Sequence, residues 1–317
     1  MSRTPLLKEV GEEGVIRLLR GLFPARAGIP LGIGDDTAVL PDTPKSYLLF
    51  TTDASVDGVD FRLGESKPEA IGRKVLAQNL SDIAAMGGTP LYGVMSLGLP
   101  ASLPVDFVKK FYAGVKKLSR KFKMQMVGGD LSRSKVLFAS CALIGKVEKK
   151  FAIFRKGARA GDFIFVTGSL GGSILGKHFH FIPRVREARF LVRNFKLNAM
   201  IDVSDGLARD LGHILAESGK SAVLYGNRVP VDQAARVLAR KTGKNPLEHA
   251  LGDGEDFELL FTVSLREGKK LLALKKVLGT PVSFIGKIED GKGLFIQASE
   301  RSSEKRKRIS CSGFSHF

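Results

Sequence analysis

The sequence predicts a two-domain protein of α/β (α+β) class, and three observations carry that prediction. At 317 residues the chain exceeds the usual size of a single domain. Runs rich in branched and aromatic residues intermix with segments of helical periodicity in both halves. Between Lys146 and Gly161 the composition turns basic and glycine-containing, which marks the boundary; the expected domains are 1–150 and 151–317.

The first element expected is a helix around Glu12–Leu22, where Val15, Ile16, Leu18, Leu19 and Leu22 recur at helical spacing and Gly21 and Pro24 close the run. GIGDDTAVL, SYLLFTTDASVDGVDF, PLYGVMSLGLP and VLFASCALIGKV read as β segments. Helices Pro68–Met86 and Val105–Phe122 separate them; Pro68 sits in a first turn and Gly87–Gly88 supplies the stop. The second half predicts strands at 163–168, Ala199–Val203, Ala222–Tyr225, Glu258–Val263 and Val282–Ile288. Helices Leu207–Ser218, Val231–Thr242 and Arg266–Leu278 lie between them. GSLGGSILG, after the first of these strands, lacks the Lys–Ser/Thr ending of a P-loop and reads as a packing turn. Ser302–Arg308 reads as a mobile loop, and His178 and His180 as surface or loop residues.

Composition narrows the class. No segment approaches the roughly 18 uncharged apolar residues that a membrane span needs, and MSRTPLLKEVGEEG has no apolar core of a secretory signal. Cys141 and Cys311 are the only cysteines, which excludes a disulfide framework and fits a reducing, cytoplasmic setting. The formal charge of +18 does not by itself indicate a target: nucleic-acid or membrane binding, a basic proteome and attraction of anionic metabolites all fit it. Nucleic acid is not the expected partner, because no zinc finger, helix-turn-helix or aromatic–basic motif accompanies the charge.

Six acidic clusters stand out against this basic background: GIGDD, TTD, NLSD, GGD, DVSDG and GDGED. Most follow an apolar run and sit beside Gly, Ser or Thr, the grouping that hard divalent cations with phosphate ligands require. At 100° per residue Ile71, Val75, Asn79, Asp82 and Met86 share one helix stripe, so Asn79 and Asp82 fall on the apolar face. An unpaired carboxylate there would cost several kcal/mol, so either a structural hydrogen bond or a metal must compensate. Taken singly, GIGDD and GDGED read as ordinary turns and DVSDG as a helix N-cap, while Thr51, Thr52 and Asp53 suit Mg²⁺ and GGD allows close backbone approach to a phosphate.

In order and wording these motifs resemble the thiamine-monophosphate kinase family, in the aminoimidazole ribonucleotide synthetase superfamily. The match runs through GIGDDTAVL, TTDASVDGVDF, AQNLSDIAAMGGTP, GGD, FRKGARAGDFIFVTG, IDVSDGLARDLGHI, GDGEDFELLF and the closing GFSHF. The resemblance implies phosphoryl transfer from ATP to thiamine monophosphate, in a homodimer whose N-terminal domains pair into a β-barrel, each flanked by a C-terminal α/β domain. It also implies that Asp36, Thr51, Thr52, Asp53, Asp82, Asp130, Asp202 and Asp205 hold or surround several Mg²⁺ ions. By the same carry-over Gly129, Asp130, Arg155 and Ser204 contact ATP, and Glu255 contacts the acceptor. No residue is expected to act covalently or as an acid or base; Asp36 and Asp205 act electrostatically.

Two departures touch the acceptor side. VDGVDF places Asp60 where the family has a histidine near the substrate phosphate, so that a metal or a neighbouring arginine such as Arg62 would have to compensate it. Cys311 stands where an aromatic would stack on the thiamine moiety, with Phe314 and Phe317 nearby. The alternative is a superfamily enzyme with the same ATP and Mg²⁺ site and a different small anionic acceptor. A selenide-activating enzyme is not expected, because no cysteine lies near the N-terminus, and a non-catalytic descendant would have lost carboxylates that are present here.

Overall fold

The computed structural model describes residues 4–302 and 305–314. The first half runs α1 (Leu7–Leu22), β1 (Ala38–Thr43), β2 (Ser46–Val56), α2 (Pro68–Ala85), β3 (Thr89–Leu99), α3 (Val105–Lys121), β4 (Gln125–Arg133) and β5 (Phe138–Glu148). Its sheet has the order β1-β2-β5-β3-β4. Every pairing is antiparallel except β3 with β4, which α3 joins as a crossover. Along β2 the buried Leu49, Thr51 and Ser55 alternate with the exposed Phe50, Thr52 and Ala54. The buried face packs on α2, and the other faces outward.

Helix α2 is the pillar of the molecule. Twelve of its eighteen residues are buried, so it is enclosed on every side rather than amphipathic. A Cβ on Gly72 would lie 2.2 Å from Phe111 O, and one on Gly114 1.9 Å from Glu69 O. This reciprocal close approach locks α2 to α3.

The second half runs β6 (Phe163–Thr167), α4 (Lys177–His180), α5 (Val185–Asn194), β7 (Leu197–Asp202), α6 (Leu207–Ser218), β8 (Ser221–Tyr225), α7 (Gln233–Thr242) and α8 (Pro246–Gly252). It continues through β9 (Leu259–Val263), α9 (Leu265–Leu274), β10 (Lys276–Val277), β11 (Thr280–Glu289), β12 (Gly293–Gln297) and β13 (Lys307–Ile309). The sheet order is β13-β12-β8-β11-β6-β9-β7, with β10 folded back on β11. Strands β6, β8 and β9 are buried at every position because separate apolar clusters cover both faces. Antiparallel pairing sets Asp202 at the end of β7 opposite Leu259 at the start of β9. The segments that follow one and precede the other, DVSDG and GDGEDF, therefore meet at one sheet edge.

Several expectations are corrected. Helix α1 begins earlier, is interrupted at Gly11 (φ 68), and buries no residue. β4, which carries Gly128–Gly129–Asp130, is a strand that the segment pattern did not predict; α5 is a helix within a segment whose basic residues dominated its reading. The expected loop at 302–308 runs into β13, which pairs with β12. His178 is buried, with Nδ1 2.6 Å from Ser173 O. Gly171 and Gly172 do make a packing turn: each has positive φ, and a Cβ would meet Ala250 N or Ala235 N within 2.7 and 2.4 Å. Among the described residues no helix is long and apolar enough to cross a membrane.

Candidate active site

A cleft of about 470 Å³ opens between the two halves. Asp36, Thr51, Thr52, Asp53, Asp60 and Asp82 line it from the first half, and Arg155, Asp202, Ser204, Asp205 and Glu255 from beyond the junction. Sequence motifs more than 200 residues apart thus converge on one space.

The convergence has a local cause at each wall. The pleat of β2 turns Thr51 and Asp53 toward α2, where Asn79 Oδ1 accepts from Asp53 N at 3.1 Å. Asn79 therefore makes the structural hydrogen bond that the helix stripe required. Asp82, one turn on, accepts from Thr51 Oγ1 at 2.5 Å. Ser81 of the same helix donates to Asp202 Oδ2 at 2.5 Å, tying α2 to the end of β7. Arg155 Nη2 donates to Asp36 Oδ1 at 2.5 Å, and Arg155 N donates to Asp35 Oδ2 at 3.1 Å.

One oxygen from each of Asp36, Asp82 and Asp202 lies within 4.8 Å of the other two, close enough to share a cation. Asp36 Oδ2 is buried and accepts no hydrogen bond. Burial and mutual repulsion lift these acids far above the ordinary carboxylate. Asp35 is pushed up to about 7 by burial and then by Asp36. Asp53 rises to about 6, by burial and then by Asp205, Asp36 and Asp60, and Asp202 to about 8, by burial and then by Asp36. Asp36 and Asp82 shift the same way for the same first reason. Arg155 is held above its ordinary value, the pull of Asp36 and Asp35 overcoming its burial. One guanidinium cannot balance so many carboxylates. An all-oxygen donor set with an orphaned buried oxygen suits a hard divalent cation such as Mg²⁺.

A second group, Asp205, Asp210 and His213, also brings three ligand atoms within 4.8 Å. Asp210 Oδ2 already accepts from Asp205 N and Gly206 N, each at 3.1 Å, so its first duty is to fix the DVSDG turn. His213 is kept neutral, its pKa lowered to about 4 by burial and then by Arg155.

On the opposite wall, backbone strain positions Glu255. Glu255 (φ 56) and Phe257 (φ 50) both adopt the left-handed conformation. Asp256 between them turns inward, accepting from Gly171 N at 2.8 Å and Ser173 Oγ at 2.6 Å. Glu255 is left lining the cleft, its N–H donating to Ser204 O at 2.6 Å. Its carboxylate pairs with the fully buried Lys74, which no sequence motif singles out. Asp60 also lines the cleft, but its Oδ2 accepts from Val56 N at 2.8 Å. The expected compensator, Arg62, instead faces Glu65 at 3.7 Å on the surface.

Three expected residues lie elsewhere in the single chain. Gly129 and Asp130 are exposed on the edge strand β4, and Asp130 accepts from Ser132 Oγ at 3.1 Å. The register runs from Asp53 through Cys141 and Met95 to Gly129, three strands away, which is about 14 Å at the usual strand spacing. Cys311 packs on Gly212 and lines a separate shallow pocket with Glu13 and Arg209. The tail residue that lines the cleft is Phe314, whose N–H donates to Asp205 O at 3.0 Å. Phe317 lies outside the described residues.

Comparison with known proteins agrees in both halves. Residues 34–147 match the family model of the AIR synthase related protein N-terminal domain, and residues 168–299 that of its C-terminal domain. The thiamine-monophosphate kinase of Rhodopirellula baltica is 39% identical, over 96% of this chain and 97% of the relative. That of Aquifex aeolicus is 34% identical, over 98% and 99%. A solved structure described as AaThiL complexed with AMPPCP and TMP superposes with a TM-score of 0.84 at 32% identity, covering all of both chains. Escherichia coli HypE, a hydrogenase maturation protein, shares the fold with a TM-score of 0.70 at 22% identity over 93% of this chain and 96% of that chain.

Proposed function

The chain belongs to the thiamine-monophosphate kinase family of AIR synthase related proteins, and on that premise we propose that it transfers the γ-phosphoryl group of ATP to thiamine monophosphate, giving thiamine diphosphate. The observation that carries this reading is the buried, under-neutralised set of Asp36, Asp82 and Asp202 at the meeting of the two halves. Two polyanions must be brought together, so charge neutralisation and alignment are the main catalytic tasks.

Asp36, Asp53, Asp82, Asp202 and Asp205 would hold Mg²⁺, with Thr51 and Thr52 beside them. Ions held there would neutralise the negative charge that the two phosphorylated substrates bring together. Arg155 and Ser204 face the same space and suit the nucleotide phosphates; Glu255 faces the acceptor. The acceptor phosphate loses its second proton at about pH 6, so its oxygen attacks in line without a general base and without a covalent enzyme intermediate.

The outward face of the first sheet exposes Phe50, Tyr92, Val94, Phe138 and Ile144 on three adjacent strands. An apolar face of this kind is covered by a partner in most soluble proteins, which supports a homodimer joined through these sheets. Such a dimer gives Gly129 and Asp130 a place at the partner subunit's cleft. The test is incubation with ATP, Mg²⁺ and thiamine monophosphate, followed by chromatographic detection of the product. Thiamine diphosphate formed in step with ADP is expected. ATP binding without diphosphate formation would overturn the acceptor and leave the altered-acceptor reading.

A further inference from the structure

Lys74 has no solvent exposure and is among the largest wholly buried side chains of the molecule. Its Nζ donates to Asp60 O at 2.7 Å, pairs with the Glu255 carboxylate, and lies 5.6 Å from the centre of the Phe179 ring. These partners come from three places: the turn after β2, the strained GDGEDF segment and the short helix α4. Stability alone does not account for such an arrangement. A buried ion pair is often no better than apolar side chains of the same volume, whereas one broken on a single side is costly.

Its position along α2 is informative. Lys74, Gln78 and Asp82 fall at i, i+4 and i+8, on one face of the helix. Gln78 and Asp82 line the cleft, and Glu255 lines it beside the end of Lys74. The helix therefore presents a carboxylate at the metal end and an ammonium about 12 Å away at the other. Arg155 lies at the first end, paired with Asp36. At the second end Lys74 is the cation within reach of Glu255, and Asp60 adds another carboxylate there.

We propose that Lys74 is a positioning and specificity residue for the acceptor. It holds Glu255 in its strained conformation, neutralises the carboxylate so that an anionic acceptor can approach, and pins the turn carrying Asp60 through its carbonyl. Because it joins α2 to the GDGEDF segment, it also sets the width of the cleft at the acceptor end. This inference rests on the kinase reading above and adds a buried residue that acts on the acceptor end through Glu255.

The test is steady-state kinetics of Lys74→Met, Glu255→Gln and the double variant, with thiamine monophosphate and ATP varied separately and thermal melting as the check on folding. Lys74→Met should raise the KM for thiamine monophosphate at least tenfold and change the KM for ATP less than threefold. The double variant, which removes both charges, should fold even where the single lysine variant does not. Its acceptor KM should be no worse than that of the weaker single variant, because both residues act through one contact. Equal rises in both KM values, an unchanged acceptor KM, or independent effects in the double variant would overturn the role of Lys74. Failure of the wild-type protein to form thiamine diphosphate would instead overturn the kinase reading on which the role depends.

Discussion

Two hollows of the protein differ in character, and the smaller of them holds the unmet charge. A cavity of about 950 Å³ lies between the end of α3 and α5 and is ringed with cations; the acidic cleft has about half that volume. In the larger cavity the inner arginines are already satisfied. Arg184 Nε and Nη2 both donate to Glu258 at 2.7 Å, and Arg189 donates to both oxygens of Glu148 and to Gly87 O. The remaining cations, Lys121, Lys123, Arg186 and Arg193, are exposed to water. In the acidic cleft the carboxylates face one another, and Asp36 Oδ2 has no partner. Size alone would point to the wrong hollow; unbalanced buried charge points to the chemistry.

The sharpest way to break this comparison is to remove one cleft acid. Asp82→Asn should lower kcat by about 10² to 10³-fold, the usual cost of losing one preorganised electrostatic group. The metal-free variant should melt at a temperature equal to or above the wild type, because one repelling carboxylate has gone. Near-wild-type turnover would remove Asp82 from the metal site.

The larger cavity should answer in the opposite way. Arg184→Met leaves Glu258 buried with half its partners and should cost about 3 kcal/mol of folding stability. That loss would appear in urea denaturation, with kcat of the folded fraction reduced far less than in Asp82→Asn. A large kcat loss with unchanged stability would give this hollow a catalytic role.

Acidity separates the two regions again. Asp53, Asp35 and Asp202 carry folded-state pKa values of about 6, 7 and 8 against an ordinary 3.8. Each binds its proton more tightly when folded, so the stabilisation is fully present below about pH 4 and is lost as pH rises toward about 8. Metal-free melting temperature should fall across that window, and saturating Mg²⁺ should restore more at its upper end than at its lower. At one hundred times its dissociation constant a bound ion contributes about 2.7 kcal/mol. The smallest effect belongs to the cavity rim: Arg186→Glu should change stability by less than about 0.5 kcal/mol and leave the kinetics unaltered.

The sequence made much of the acidic cleft legible and little of the other hollow. The motifs that carry Asp36, Asp53, Asp82 and Asp202 each have an ordinary reading alone, and became legible as a site only as a set. Asp82 was sharper still, since helical periodicity alone puts it on an apolar face. Lys74 was hidden because a lysine in a helix ordinarily means a solvated face; only tertiary packing shows α2 buried on every side. α5 was hidden because its arginines suggested a charged surface, whereas Arg184 and Arg189 turn back on acids far away in sequence. In the tail, the family resemblance pointed to Cys311, but Gly313 must pass close over Asp205 O, and that brings Phe314 to the cleft. Asp130 was legible as an acid of the set, yet a single chain leaves it on an exposed edge.

Burial favours the protonated form of the cleft acids, so a divalent cation bound among them should displace protons. Calorimetric titration of Mg²⁺ into the protein at about pH 6.5, repeated in buffers of different ionisation enthalpy, counts the protons released for each ion bound. Net proton release is expected at that pH, smaller at about pH 9, where Asp35, Asp53 and Asp202 are largely ionised, and strongly reduced in Asp202→Asn. Mg²⁺ binding with no proton release at the lower pH, or release unaffected by loss of Asp202, would contradict it.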